Sequence, residues 1–255
     1  MNTNIRWSKI RWFAAIVLVI AFAAFCVNLT REAHRAHVTP WKLLRHMFRA
    51  QPKTDEERTK REYEDSEEYA SELIAHPPAS LGKGYGFLQR AIARVHLGKI
   101  MEAMEDYEDA KRSDPDRYGR YSHSTTLAYA LAEKGEYYRV LRVFEELQEN
   151  FPDRATASFA FFLAKTKNPE YRDSVRALEF ARLHLSLVKE VRRSDRELLA
   201  TALASNGEFE EAIQEAELAL ELPPANEKIA PLDEKRIRGF IELCKERRFE
   251  TSKVY

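Results

Sequence analysis

The first residues that could do chemistry are three closely spaced glycines around a lysine. The run Gly82-Lys83-Gly84-Tyr85-Gly86 has the composition of a phosphate-binding loop. A nucleotide-binding loop of this kind needs a later Gly-Lys-Ser/Thr and a preceding strand, because backbone amides at a helix start hold the phosphates. The sequence predicts neither feature here. We therefore interpret the run as a flexible start to the helix that follows.

The histidines, cysteines and carboxylates form no catalytic or metal-binding pattern. His34, His37 and His46 lie near one another, but no acid or cysteine completes a ligand set. Cys26 lies in an apolar run and Cys244 far away near the C-terminus, which predicts no disulfide framework. The carboxylates fall on charged helix faces that solvent would cover. We expect a non-catalytic protein with no metal, no cofactor and no small-molecule substrate.

Composition favours helices, and the charge is divided unevenly along the chain. The 255 residues include only 8 glycines and 10 prolines, too few turns for a many-stranded β protein. The net charge is zero, but residues 1–50 carry eight basic and one acidic side chain, +7, which leaves −7 for the remainder. Because a negatively charged domain repels phosphates, we exclude nucleic acid as a partner.

Residues 12–29 form an apolar run that predicts a transmembrane helix. The run has Asn28 as its clearly polar member and begins after Arg11, with Trp12 placed for the membrane interface. At about 1.5 Å per residue, a helix of this length spans about 27 Å of the lipid bilayer. The alternative is a cleaved signal peptide, because Ala21-Phe22-Ala23 has the small-x-small form of a cleavage site.

The segment that follows, residues 30–52, contains a short basic amphipathic stretch. Pro40 can occupy the first position of a helix, and Trp41, Leu44 and Phe48 then share its apolar face. One interpretation places this helix in the lipid headgroup region. The other packs it against the domain behind it.

The rest of the chain contains an internal repeat. Three glycines are each followed seventeen residues later by a proline: Gly98 and Pro115, Gly135 and Pro152, Gly207 and Pro224. Apolar or small residues recur at equal distances after each glycine, spaced by three and four residues, and Ala91, Ala128 and Ala200 each stand seven residues before one. This spacing predicts a unit of helix, glycine turn and helix, with the proline ending the second helix.

These units resemble the tetratricopeptide repeat, a family of stacked helical hairpins. Residues 84–117, 121–154 and 193–226 match it, and GEFEEAIQEAELALELPP matches best. A further unit is hidden between the second and third: ATASFAFFLAK and SVRALEFARLHLSL supply its helices, and TKNPEYRD supplies a longer turn. The resemblance implies an all-α fold, a right-handed α-solenoid of four hairpins. The last part of the chain also resembles a C-terminal arrangement of bacterial repeat proteins.

The resemblance also implies a partner-binding surface on the concave face, formed by the first helix of each hairpin. The positions implied are Tyr85, Leu88, Ile92, His96, Thr125, Tyr129, Glu133, Glu197 and Thr201. An extended or helical segment with apolar side chains would suit Leu88, Ile92 and Tyr129. The alternative is that Leu88 and Ile92 pack against a capping helix at residues 55–75. A stripe at the other end that includes Cys244 would cover the last repeat, so we expect Cys244 to be a core residue.

The resulting organisation has six parts: a basic head (1–11), a transmembrane helix (12–29), a juxtamembrane segment (30–52), a capping helix (53–80), four hairpins (81–226) and a C-terminal capping helix with a tail (227–255). We predict a scaffold or adaptor that holds a protein partner near a bacterial inner membrane. A short basic head favours an extracytoplasmic C-terminal domain, whereas an interfacial helix on an anionic leaflet would favour the cytoplasm. The alternative is a secreted or periplasmic accessory of an envelope enzyme or assembly complex.

Overall fold

The computed structural model describes residues 54–78, 80–224 and 230–248. The chain divides into two units, residues 1–58 and 59–255, and the second contains nearly all the described residues. The segments 12–29 and 30–52, with Trp12, Trp41, Leu44 and Phe48, lie outside the described residues. Among the helices that the structure describes, none combines the length and apolar character that crossing a bilayer requires.

The described part of the chain is entirely helical, as predicted, and contains no strand. The helices are α1 (Asp55–Ala75), α2 (Lys83–His96), α3 (Ile100–Ser113), α4 (Ser122–Glu133), α5 (Tyr137–Asn150), α6 (Pro152–Lys165), α7 (Ser174–Leu187), α8 (Arg193–Ser205), α9 (Phe209–Glu221) and α10 (Ala230–Lys245). Short 3₁₀ turns lie at Tyr118–Arg120 and Pro169–Tyr171. Consecutive helices from α2 to α9 pack as four hairpins, and α10 packs against α9.

Three of the four hairpins turn at the glycines that the repeat singled out. Gly98, Gly135 and Gly207 have φ of +79°, +77° and +84°, a region that strains residues with a Cβ. A Cβ would meet no atom within 4 Å at any of them, so backbone conformation alone explains these glycines. In the first turn, the Lys99 amide donates to the Arg94 carbonyl at 2.8 Å, which closes the helix end.

The hairpin of α6 and α7 is built differently at both ends. Its turn has no glycine; instead the Asp173 side chain accepts from the Arg176 amide at 3.0 Å and starts α7. Pro152, expected to end a helix, occupies the first position of α6, while α5 already ends at Asn150. A proline is favoured there because that position needs no amide hydrogen bond.

Small buried residues let the helices of the core approach closely. Ala91, Ala128 and Ala200 are buried in their hairpins, and Ala160 is buried in α6. Cys244 on α10 is also buried, as predicted, and burial raises the pKa of its thiol to about 11. A thiol that stays protonated at neutral pH is a packing residue rather than a nucleophile.

A buried ion-pair network joins α1 to the first hairpin. Asp106 on α3 is 1% exposed and accepts from Arg90 at 2.7 Å and from Arg94 at 2.8 Å. Arg94 also donates to Glu67 of α1 at 3.0 Å, and Lys99 donates to Glu67 at 2.7 Å. Burial alone would raise the pKa of Glu67, but these hydrogen bonds and charges outweigh it and hold the pKa below its ordinary value.

We predict that Asp106→Ala lowers the free energy of unfolding by about 3 kcal/mol, because it leaves two half-buried guanidinium groups without their shared carboxylate. The matched control is Asp109→Ala on the same helix, where the carboxylate is more exposed and pairs with Arg112. This control is expected to change stability by less than about 1 kcal/mol. Urea unfolding followed by circular dichroism measures both, and equal effects would contradict the assignment.

Candidate functional site

A groove of about 870 Å³ lies in the C-terminal half of the described hairpins. Its walls are α6, α8 and α10, and α4 contributes Tyr129. On each wall the lining residues recur at helical spacing, so each helix presents one face to the groove. These residues are Ala157, Ser158, Phe161 and Lys165 on α6; Ser194, Glu197, Leu198 and Thr201 on α8; and Asp233, Arg236, Ile237 and Phe240 on α10.

Tyr129 and Phe161 supply aromatic surface and are held by defined contacts. The Tyr129 hydroxyl donates to the Ser158 carbonyl at 2.9 Å, and its ring packs edge-on against Phe144 with centroids 5.7 Å apart. Phe161 lies one helical turn before Lys165, whose ammonium stands 5.0 Å from the ring centroid. The two rings therefore form a rigid apolar part of the groove.

Lys165 and Arg236 bring positive charge into the groove from two different walls. Arg236 pairs with Glu197 of α8 at 2.6 Å and lies 3.6 Å from Asp233 on its own helix. Burial, together with the nearby charge of Arg236, lowers the pKa of Lys165 to about 8. The groove thus combines apolar surface with two cations.

A buried histidine–carboxylate contact supports one end of the groove. His184 Nε2 lies 2.9 Å from Asp195 Oδ1, and the other oxygen of Asp195 accepts from the Arg192 amide at 2.9 Å. Burial raises the pKa of Asp195, but the hydrogen bonds from His184 and Arg192 outweigh it and lower the pKa overall. A carboxylate held ionised in this way fixes the start of α8 and is unsuited to donate a proton at neutral pH.

Arg193 shapes the same end by holding a loop. Its side chain is buried, and Nε and Nη2 donate to the Leu222 carbonyl at 3.1 and 2.6 Å. These two bonds set the position of the segment from Leu222 to Pro224, which lines the groove. Arg193 therefore positions part of the groove wall.

Three of the nine predicted partner-binding residues, Tyr129, Glu197 and Thr201, lie in this groove. Leu88 does not: it is 0% exposed in the core, so it offers no partner surface. Ile92 is half-buried and also packs against the core.

The remaining predicted residues lie outside the groove lining. Tyr85 packs edge-on against Tyr121 with centroids 5.6 Å apart. His96 stacks on Tyr63 of α1 at 4.1 Å, and burial lowers the pKa of its imidazole although Glu133, 4.0 Å away, opposes this. The Thr125 hydroxyl donates to the Ser122 carbonyl of its own helix.

The glycine-rich run is a packing element, and the expectation of a flexible start is wrong. Helix α2 begins at Lys83, and the Gly84 amide donates to the Asp114 carboxylate at 2.9 Å. A Cβ at Gly86 would lie 2.9 Å from Ile74 of α1, so glycine is needed for this close approach. The amide of Gly84 is therefore already satisfied by a carboxylate of the chain itself.

The sequence interpretation missed the groove residues of the third hairpin and of α10, including Phe161, Lys165 and Arg236. A signal for the first two was present. Ala160 occupies the place of Ala128, and the offsets that relate Ala128 to Tyr129 and Glu133 lead from Ala160 to Phe161 and Lys165. For Arg236 no repeat offset exists, because α10 follows the last hairpin.

Comparison with known proteins adds no assignment, because no family model, curated protein or solved structure matches the chain. Within residues 54–78, 80–224 and 230–248, no group of three or more histidine, cysteine or acidic side chains is arranged to hold a metal ion.

We predict that Lys165 titrates with a midpoint near pH 8, because burial and Arg236 both disfavour its charged form. Reductive ¹³C-methylation of the lysines followed by an NMR titration measures the midpoint, and the signal lost in Lys165→Arg identifies the residue. Arg236→Gln should move the midpoint upward, because it removes a neighbouring cation. A wild-type midpoint above about 10, the ordinary value for lysine, would contradict the described environment.

Proposed function

We propose that this chain is a non-catalytic, membrane-tethered adaptor, a tetratricopeptide-like right-handed α-solenoid that binds a protein partner in the groove between α6, α8 and α10. The observation that carries the proposal is that the groove contains residues of the binding face expected from the repeat. The resemblance to the repeat assigned Tyr129, Glu197 and Thr201 to a binding face, and all three line the groove. Helical-repeat proteins bind their partners on such extended faces.

The repeat-like build of the hairpins supports the tetratricopeptide part of the proposal. Four hairpins follow one another, three turn at left-handed glycines, and the first helices carry a buried alanine at one equivalent position. A hairpin of this kind leaves an apolar face that it cannot bury alone, so neighbouring units stack. Stacking of this kind generates the solenoid that we propose.

The dimensions of the groove suit a short peptide segment. The lining of α6 runs from Ala157 to Lys165, which at about 1.5 Å per residue is about 12 Å of helix. An extended chain covers that length in about four residues. Apolar rings with a few placed polar groups are typical of sites that bind peptide side chains.

The membrane tether is proposed from the apolar segment 12–29. Cleavage after Ala23 would instead release a secreted or periplasmic form with the same groove. Both forms keep the hairpins, so they differ in where the partner is met and not in how it is bound.

We predict that a photo-crosslinking residue at Ser194 captures a partner in cells, because Ser194 is exposed and lines the groove. The matched control is the same residue at Glu179, which is exposed on α7 outside the groove. Thr201→Arg should reduce the Ser194 product at least tenfold by filling the groove, without changing the helicity or the melting temperature. Equal capture from both positions, or capture that survives Thr201→Arg, would remove the groove from the proposal.

We predict that the mature chain has its full-length mass and fractionates with membranes, because residues 12–29 act as an uncleaved anchor. Mass spectrometry of the purified chain tests cleavage. Protease treatment of spheroplasts with a C-terminal tag tests sidedness, and we expect the tag to be digested if the domain is extracytoplasmic. A mass lacking the first twenty-odd residues would replace the tether by the secreted alternative.

A further inference from the structure

We propose that residues 249–255 dock in the groove of their own chain, with Val254 and Tyr255 on its apolar surface, and that a partner displaces them. These residues follow Arg248, the last described residue, and are carried by α10, which forms one wall of the groove. The docking itself is intramolecular and needs no partner. The competition with a partner rests on the proposed function.

Helix α10 ends in a turn that redirects the chain at a strained residue. Arg247 has φ of +52°, in the left-handed region that strains residues with a Cβ. Two amides close the turn: Arg247 donates to the Cys244 carbonyl and Arg248 to the Leu243 carbonyl, both at 2.9 Å. This hydrogen-bond pattern is a Schellman motif, which ends a helix. The chain therefore leaves the axis of α10 at Arg247 instead of continuing along it.

The turn is held in place on the side of α10 that lines the groove. Phe240 lines the groove, and Arg247 stands seven residues later, about two helical turns, so both lie on the same side of α10. The Arg247 guanidinium donates to the carboxylate of Glu210, near the start of α9, at 2.8 Å. Residues 249–255 therefore begin beside the wall along which the groove extends.

The length of this segment matches the distance that it must cover. Phe240 lies eight residues before Arg248, which is about 12 Å at about 1.5 Å per helical residue. An extended chain covers about 3.3 Å per residue, so the seven residues 249–255 reach about 23 Å. Val254 and Tyr255 can therefore return to the part of α10 that lines the groove, whereas Phe249 stays near the end of the helix.

The composition of the segment also suits the groove. Val254 and Tyr255 are apolar and aromatic, the kind of side chain that the aromatic surface of the groove accommodates. Glu250 and Lys253 cancel, and the acidic and basic residues that line the groove are equal in number, so no net repulsion opposes docking. Attachment to α10 keeps the segment at a high effective concentration beside the groove, an advantage that a separate peptide lacks.

The test is photo-crosslinking within the purified full chain in detergent. Benzoylphenylalanine replaces Phe161 in the groove, and the matched control places it at Tyr138, which is 74% exposed on α5 and outside the groove lining. We expect irradiation to join position 161, but not position 138, to residues 249–255, as mapped by mass spectrometry. A mixture of isotopically light and heavy chains shows whether the product forms within one chain.

Substitutions in the segment assign the contact to its apolar residues. The double variant Val254→Glu/Tyr255→Glu should lower the yield of the position-161 product about fivefold, because apolar surface accepts a carboxylate poorly. Thr251→Glu/Ser252→Glu adds the same charge to the same segment and is the matched control, which should leave the yield nearly unchanged. Melting curves verify that both variants keep the wild-type fold.

Partner capture in cells tests the competition. Val254→Glu/Tyr255→Glu should raise the yield of the Ser194 crosslink to a partner about threefold, because a larger fraction of the chains then has an open groove. Thr251→Glu/Ser252→Glu should not raise it. Capture that is unchanged by the first variant would overturn the competition.

The outcomes separate this inference from the proposed function. Equal crosslinking from positions 161 and 138, a position-161 product that survives Val254→Glu/Tyr255→Glu, or no product with residues 249–255 would overturn the docking. Products that join light to heavy chains would replace it by an interface between two copies. An intrachain product without any partner capture at Ser194 would sustain the docking and overturn the proposed function.

Discussion

The described hairpins depend on close contact between helices at buried alanines. Ala91, Ala128, Ala160 and Ala200 hold one equivalent position on the first helices, and all four are buried. A larger side chain there would separate the two helices, and a well-packed interior tolerates such expansion poorly. The glycine turns serve the same contact, because they return the chain tightly enough for the second helix to reach the first.

The same face of the first helices is used in two ways along the chain. At the first hairpin it is covered, since Tyr63 stacks on His96 and Ile74 packs beside Gly86. In the C-terminal half it is open, because α6, α8 and α10 leave a groove between them. A position on this face is buried where another helix covers it and exposed where none does.

The repeat made much of this fold predictable, and its limits are physical. The positive φ of Gly98 follows from residue type and spacing, because few other residues tolerate that conformation. The burial of Leu88 did not follow, since it depends on a tertiary contact that a repeat position cannot report. Lys165 was within reach through the offset from Ala160, whereas Arg236 lies on a helix outside the repeat. Ion pairs such as Arg236 with Glu197 join residues distant in sequence, and no local pattern encodes them.

Because α10 supplies residues of the groove, the groove is completed only after α10 has been synthesised. The four hairpins are built from contacts between neighbouring helices, so each can form soon after its two helices leave the ribosome. The groove cannot, because Arg236, Ile237 and Phe240 are translated after all the hairpins are complete. In the function proposed above, the hairpins would therefore be folded before the groove is complete.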